Sequence, residues 1–355
     1  MAKGIGIMSR LPAGGEDRLA DLGGIGSNPG KLRARYYVPE GLKPGAPLVV
    51  VLHGCTQNAA VYDHGSGWSR LADRHGFALL FPEQARSNNP NLCFNWFNPD
   101  DVTRGRGEAA SIKAMIDRMI EAHGADPARI FVTGLSAGGA MAAAMLAAYP
   151  ELFSAGAIIA GVPYGCASGV AEAFECMAGG GSGDARSLAA NVHGASGHKG
   201  PWPRVQIWQG SADHTVAPSN ADALVRQWTE LHGLRAAPAR TEESGGHRRS
   251  IWTGPEGKPL VEHHAIAGMG HGTPLDPGSG EGQSGEAGPH MLDVGVSSTD
   301  EIAAFFGIAP ATAAAKSRKT APAAAGPRPR RAAAPAAEGV QATIEKALRA
   351  AGLMR

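Results

Sequence analysis

Cysteine is scarce in this chain, with four residues (Cys55, Cys93, Cys166 and Cys176) among 355. So few, so widely scattered, exclude a disulfide scaffold and a CxxC zinc site, and spacing cannot assign a bridge. Charge is low and balanced. Charged residues make up 18% and the net charge is +1, so no whole-protein field draws in nucleic acid. No stretch approaches the roughly 20 apolar residues of a membrane span. The opening "MAKGIGIMSRLPAGGEDRLADLGG" lacks an apolar run of signal-peptide length, so a cytoplasmic location is the expectation. Aromatic residues amount to only 6%, so most are expected in the core.

Glycine and proline, by contrast, are abundant at 50 and 25 residues, and 43% of the chain is apolar. The length suffices to bury a large core. Residues 1–30 are Gly-rich and read as a loose lead-in. From 31 to 308, short apolar runs alternate with amphipathic stretches. "PLVVVLH" (47–53), "FALLFP" (77–82), "RIFVTG" (129–134), "AGAIIAG" (155–161), "RVQIWQG" (204–210) and "VEHHAIAG" (261–268) read as strands, most of them buried on both faces. Between them, residues 108–124 set Ile112, Met115, Ile116 and Met119 on one helical face, and 219–233 do the same with Leu224, Val225, Trp228 and Leu231. Residues 299–308 read as a closing helix. The alternation implies a mostly parallel sheet flanked by helices. Residues 309–339 are Ala/Pro with six basic residues and read as a disordered linker. Val340, Ile344, Leu348 and Ala351 line one face of a short helix over 340–355.

The chemistry concentrates at Gly134-Leu135-Ser136-Ala137-Gly138, a G-x-S-x-G run between a predicted strand and a predicted helix. The turn strains the serine backbone, and side chains two residues to either side would collide. Its hydroxyl then stands at a helix N-terminus, which favours a developing oxyanion. In this arrangement the acid and base follow in the order Ser, Asp or Glu, His, each on a loop after a strand. Asp213 follows the 204–210 strand and His271 follows the 261–268 strand. Of the other histidines, His214 adjoins Asp213 and points elsewhere, His263 and His264 fall inside a strand, and His247 and His290 lack a preceding strand. The oxyanion donors are expected to be the backbone N–H groups of Ala137 and Cys55, the latter in "VLHGCTQ". His53 is expected to hold that loop rather than act as a base. No metal or organic cofactor is needed.

"LVVVLHGCTQNAAVYDHGSGWSRLADRHGFALLFPEQ", "NLCFNWFNPDD", "RIFVTGLSAGGAMAAAMLAAYPELFSAGAIIAGVPYGCA" and "GMGHGTPL" together resemble the poly(3-hydroxyalkanoate) depolymerases with a type 1 catalytic domain. The resemblance implies an α/β-hydrolase fold and an esterase of short-chain-length polyesters such as poly(3-hydroxybutyrate). It puts the nucleophile on Ser136, the acid on Asp213, the base on His271 and the first oxyanion loop on His53-Gly54-Cys55. Feruloyl and acetyl-xylan esterases share that core and supply the alternative substrate class; a non-catalytic binding module is the alternative of another kind. Members of the family are usually exported, which makes secretion the alternative location.

A polyester offers methyls, methylenes and carbonyls but no charge, so groove candidates are apolar: Tyr62, Trp96, Phe97 and Tyr164. Trp208 lies in a strand and is expected to be buried. Cys93, Cys166 and Cys176 are expected to pack as small hydrophobes, with a Cys55–Cys93 bridge as the alternative. The 340–355 helix either meets a polymer or granule surface or folds back on the catalytic domain.

Overall fold

The computed structural model describes residues 10–12, 14–180 and 183–311. The proposed linker over 309–339, from residue 312 onward, and the helix over 340–355 lie outside the described residues.

Ten strands form one sheet: β1 (Ala20–Asp21), β2 (Arg33–Tyr37), β3 (Leu48–Leu52), β4 (Ala78–Glu83), β5 (Ile130–Leu135), β6 (Ala155–Ile159), β7 (Arg204–Gly210), β8 (Arg240–Ser244), β9 (His247–Thr253) and β10 (Pro259–Ile266). Their spatial order is β1-β2-β4-β3-β5-β6-β7-β10-β9-β8. The run from β4 to β10 is parallel, and β1, β2, β9 and β8 extend it at the two edges as antiparallel pairs. The helices are α1 (Ala59–Ser66), α2 (Trp68–His75), α3 (Pro99–Val102), α4 (Gly107–His123), α5 (Ala137–Ala148), α6 (Val170–Met177), α7 (Ala185–Ser196), α8 (Ser219–Leu231) and α9 (Ser298–Phe306). A short parallel pair, β11 (Thr273–Leu275) and β12 (Met291–Asp293), lies beside the sheet.

Period-two alternation divides the strand side chains between two cores. Leu48, Val50 and Leu52 of β3, with Ile130 and Val132 of β5, face α4, α5, α7 and α8. Val49 and Val51, with Phe131 and Leu135, face α1, α2 and α9. Both faces are covered, which is why the strand sequences read as continuous apolar runs rather than alternating ones. This is an α/β-hydrolase fold.

The expected helix faces are all buried: Ile112, Met115, Ile116 and Met119 in α4, and Leu224, Val225, Trp228 and Leu231 in α8. α4 stops at Gly124 in a left-handed conformation (φ 64°), as the glycine signal predicts. α8 stops earlier, at Leu231. The lead-in is not loose over its latter part. Leu19 and Leu22 are buried, β1 pairs with β2, and Arg18 bonds Tyr37 and Asp73.

Candidate active site

β5 delivers Ser136 at its carboxyl end, and α5 begins at the next residue. Ser136 has φ 57° and ψ −118°, a conformation that costs a side-chain-bearing residue of order 1–3 kcal/mol. Two close approaches hold it there. A Cβ on Gly138 would strike the Leu52 carbonyl oxygen and stand 2.6 Å from that of His53. A Cβ on Gly134 would strike the Gly138 carbonyl and stand 2.8 Å from the Leu52 oxygen. The glycines of the motif are therefore needed for β3, β5 and α5 to meet.

The loops after β7 and β10 complete the constellation. Ser136 Oγ lies 2.9 Å from His271 Nε2, and His271 Nδ1 lies 2.7 Å from Asp213 Oδ2. Asp213 is buried. Its Oδ1 accepts the backbone N–H groups of Thr215 and Val216, each at 2.9 Å, and its Oδ2 accepts Gln209 Nε2 at 3.0 Å. Burial pushes this carboxyl up, but the bond and charge of His271 and the two amides outweigh it, so its pKa lies below the usual value. An ionised Asp213 fixes the proton of a neutral His271 on Nδ1 and leaves Nε2 free to accept from the serine hydroxyl. The structure thus brings Ser136, Asp213 and His271 together. Sequence reasoning missed Gln209, whose place at the end of a buried strand was the one available signal.

The loop after β3 lies against the same elbow. His53 is buried; its Nδ1–H donates to the Gly54 carbonyl at 2.8 Å, and its Nε2 accepts the Gln84 N–H at 3.1 Å. Both ring nitrogens are committed to holding the loop. Gln57 Oε1 takes the Gly54 amide at 2.9 Å, and the Asn91 carbonyl takes the Thr56 amide at 2.6 Å. Cys55 stands between these two occupied amides. Ala137 is the first residue of α5, so its N–H has no carbonyl within the helix to meet.

Two expectations need correction. The cysteines do not pack as free thiols: Cys55 bonds Cys93, and Cys166 bonds Cys176. The first bridge ties the loop after β3 to the segment carrying Trp96. The side chain of Cys55 therefore contributes beyond its amide. Closing a loop of 38 residues is worth about 3–4 kcal/mol. Cys93→Ala should therefore lower the midpoint of thermal unfolding by roughly 5–10 °C. A dithiol reductant, which also opens Cys166–Cys176, should shift the wild-type chain further than the substitution does and the variant only by the share of that second, shorter loop.

The second correction concerns Tyr62, which is fully buried rather than part of a groove. Asn58 caps α1 and directs Tyr62 into the core, where its hydroxyl meets Thr273 Oγ1 at 3.3 Å, two residues past His271. It is a strut under the histidine loop. Trp96 and Phe97 are half-buried and edge to face at 5.5 Å. Trp96 packs with Ala140, Val162, Cys176 and Val216, an apolar wall one turn beyond Ser136 and adjoining the Asp213 loop. Tyr164 is half-buried beside the larger core. Trp208 is fully buried, as expected.

A buried carboxyl that sequence reasoning did not single out supports that wall from behind. Glu108 accepts from Gln84 Nε2, from the Asn95 backbone N–H and from Asn95 Nδ2. Burial pushes its pKa up to about 8 against these donors.

Residues 32–251 match the family model described as esterase PHB depolymerase. Poly(3-hydroxyalkanoate) depolymerase C of Paucimonas lemoignei is 48% identical over 291 residues, covering 82% of this chain and 70% of that protein. Feruloyl esterase B of Talaromyces funiculosus is 30% identical over 267 residues, 73% of this chain and 74% of that one. Among solved structures, the acetyl xylan esterase of Aspergillus awamori superposes with a TM-score of 0.70 at 27% identity, over 82% of this chain and 99% of that one. With its G-x-S-x-G elbow inside the matched span and the same sheet behind it, the chain belongs to the PHB depolymerase family of esterases and is a carboxylic ester hydrolase.

Proposed function

We propose that this chain cleaves short-chain-length polyhydroxyalkanoate, such as poly(3-hydroxybutyrate), through Ser136, His271 and Asp213 and an acyl-enzyme. The relay of 2.9 and 2.7 Å contacts from Ser136 Oγ to the buried Asp213 carries the reading. An ester carbonyl sits above Ser136, and His271 Nε2 takes the hydroxyl proton as Oγ attacks. Asp213 holds the imidazole and stabilises its positive charge. The N–H groups of Cys55 and Ala137 receive the oxyanion. His271 returns the proton to the departing alcohol end of the polymer, and water, deprotonated by His271, then releases the acid and restores Ser136.

Trp96, Phe97 and Tyr164 are proposed to border the polymer, because an uncharged chain of methyls and methylenes is bound by apolar surface. The 48% identity to a poly(3-hydroxyalkanoate) depolymerase supports this substrate over the plant-wall esters. The 30–33% identity to feruloyl and acetylxylan esterases keeps those esters as the second reading. The two disulfide bonds support secretion over a cytoplasmic location. The segment 340–355 is proposed to touch the polymer surface, with 309–339 as its tether.

Substrate choice is decided by comparing release of 3-hydroxybutyrate from an amorphous polymer suspension with release of ferulate or acetate from substituted xylan. Clearing of the suspension is expected. An intact suspension alongside rapid deacylation of xylan would transfer the chain to the second reading.

A further inference from the structure

His271 lies in the run Gly268-Met269-Gly270-His271-Gly272. Three glycines around a working imidazole give a segment with little stiffness of its own, so its place depends on pins from outside. Upstream, the Gly268 N–H donates to Ser211 Oγ and the Ala212 N–H donates to the Met269 carbonyl, each at 2.9 Å. Downstream, two pins come from one residue. His290 Nδ1–H donates to the His271 carbonyl at 3.1 Å, and the His290 carbonyl accepts the Thr273 N–H at 2.8 Å. The two imidazoles stand edge to face, with centroids 5.8 Å apart.

His290 holds this position at a conformational cost. Its φ is 59°, in the left-handed region that glycine occupies freely and a side chain does not. Nor is its own segment adrift. The Glu286 N–H donates to the Gly65 carbonyl at 2.9 Å, and His64 and Arg70 both reach the Glu286 carboxylate. Arg74 bonds the Gln283 carbonyl and Ser284 Oγ. The loop ending in His290 is thus fastened to α1 and α2, the helices that follow the proposed oxyanion loop.

We infer that His290 is a positioning residue for the proposed reaction: its imidazole fixes the main chain of His271 so that Nε2 stays in line with Ser136. This rests on the reading of Ser136, His271 and Asp213 as the triad. The bond dictates the tautomer, since a carbonyl only accepts and Nδ1 must carry the proton. Burial also holds the ring below the ordinary histidine pKa, partly offset by the bond to His271.

The test uses His290→Gly and His290→Asn on a soluble ester, p-nitrophenyl butyrate. Glycine removes the ring and relieves the positive φ; asparagine tolerates that φ and places an N–H donor where Nδ1 stands. His290→Gly is expected to lower kcat about tenfold, with KM within about twofold and an unfolding midpoint no lower than wild type. His290→Asn should recover most of kcat. An unchanged kcat in His290→Gly would overturn the inference, as would a loss of kcat that follows the unfolding midpoint and is not recovered by asparagine. Activity persisting in Ser136→Ala would instead remove the triad reading, a result separable from the comparison of His290 variants with wild type.

Discussion

Ser136→Ala should lower kcat/KM on a soluble butyrate ester by about 10⁴- to 10⁶-fold, with an unchanged circular dichroism spectrum and unfolding midpoint. The alanine keeps the Cβ that the elbow already accommodates, so the strained backbone is undisturbed. What disappears is the hydroxyl oxygen that stands 2.9 Å from His271 Nε2. Asp213→Asn should cost about 10⁴-fold through a different atom. Two amides donate to Oδ1, so the side-chain oxygen of asparagine stays on that side and its NH₂ faces His271 Nδ1. The imidazole must then carry its proton on Nε2, where it cannot accept from serine. Ser136→Ala with near-wild-type turnover would remove the nucleophile assignment. Asp213→Asn with near-wild-type turnover would remove the tautomer argument while leaving the nucleophile intact.

The parts of the site that were legible in the sequence are those imposed by short-range sterics and chain order. Gly134 and Gly138 flank Ser136 because backbones approach there, and the strands before Asp213 and His271 announce themselves by Val205, Ile207 and Trp208 and by Val261 and Ile266, apolar residues that the covered sheet buries. What escaped notice lies at the edges or depends on distant contacts. β8 is "RTEES", wholly exposed, and carries no apolar alternation to reveal it. Tyr62 looked like a groove residue because an aromatic after a loop has no address until the helix phase is known. Asn58 sets that phase and turns the ring inward. The Cys55–Cys93 pair depends on two loops meeting, and the Cys166–Cys176 pair on how α6 turns back toward the loop before it, neither of which spacing encodes. His290 lacks a preceding strand, a criterion suited to a base and blind to a residue proposed to act on the base's backbone.

Gly138→Ala is the second large effect, and it separates sterics from helix preference. Alanine is the better helix former, by about 1 kcal/mol, and residue 138 is in the first turn of α5. Propensity alone would make the variant more stable. Here the added methyl would meet two main-chain carbonyl oxygens, those of Leu52 and His53. Neither belongs to a flexible side chain: one ends β3 and the other begins the proposed oxyanion loop. The collision is relieved only if α5 tilts away from the sheet or that loop shifts, at a cost of about 3 kcal/mol. Either movement also displaces Ser136 or the Cys55 amide, so kcat/KM should fall by about 10²-fold or more. Gly194→Ala is the matched control, since it lies in α7 and a Cβ there meets nothing within 4 Å. That variant should raise the unfolding midpoint slightly and leave turnover unchanged. If Gly138→Ala behaved like Gly194→Ala, the contact between β3 and α5 would be looser than described, and the second glycine of the motif would not be needed to bring the nucleophile and the oxyanion loop together.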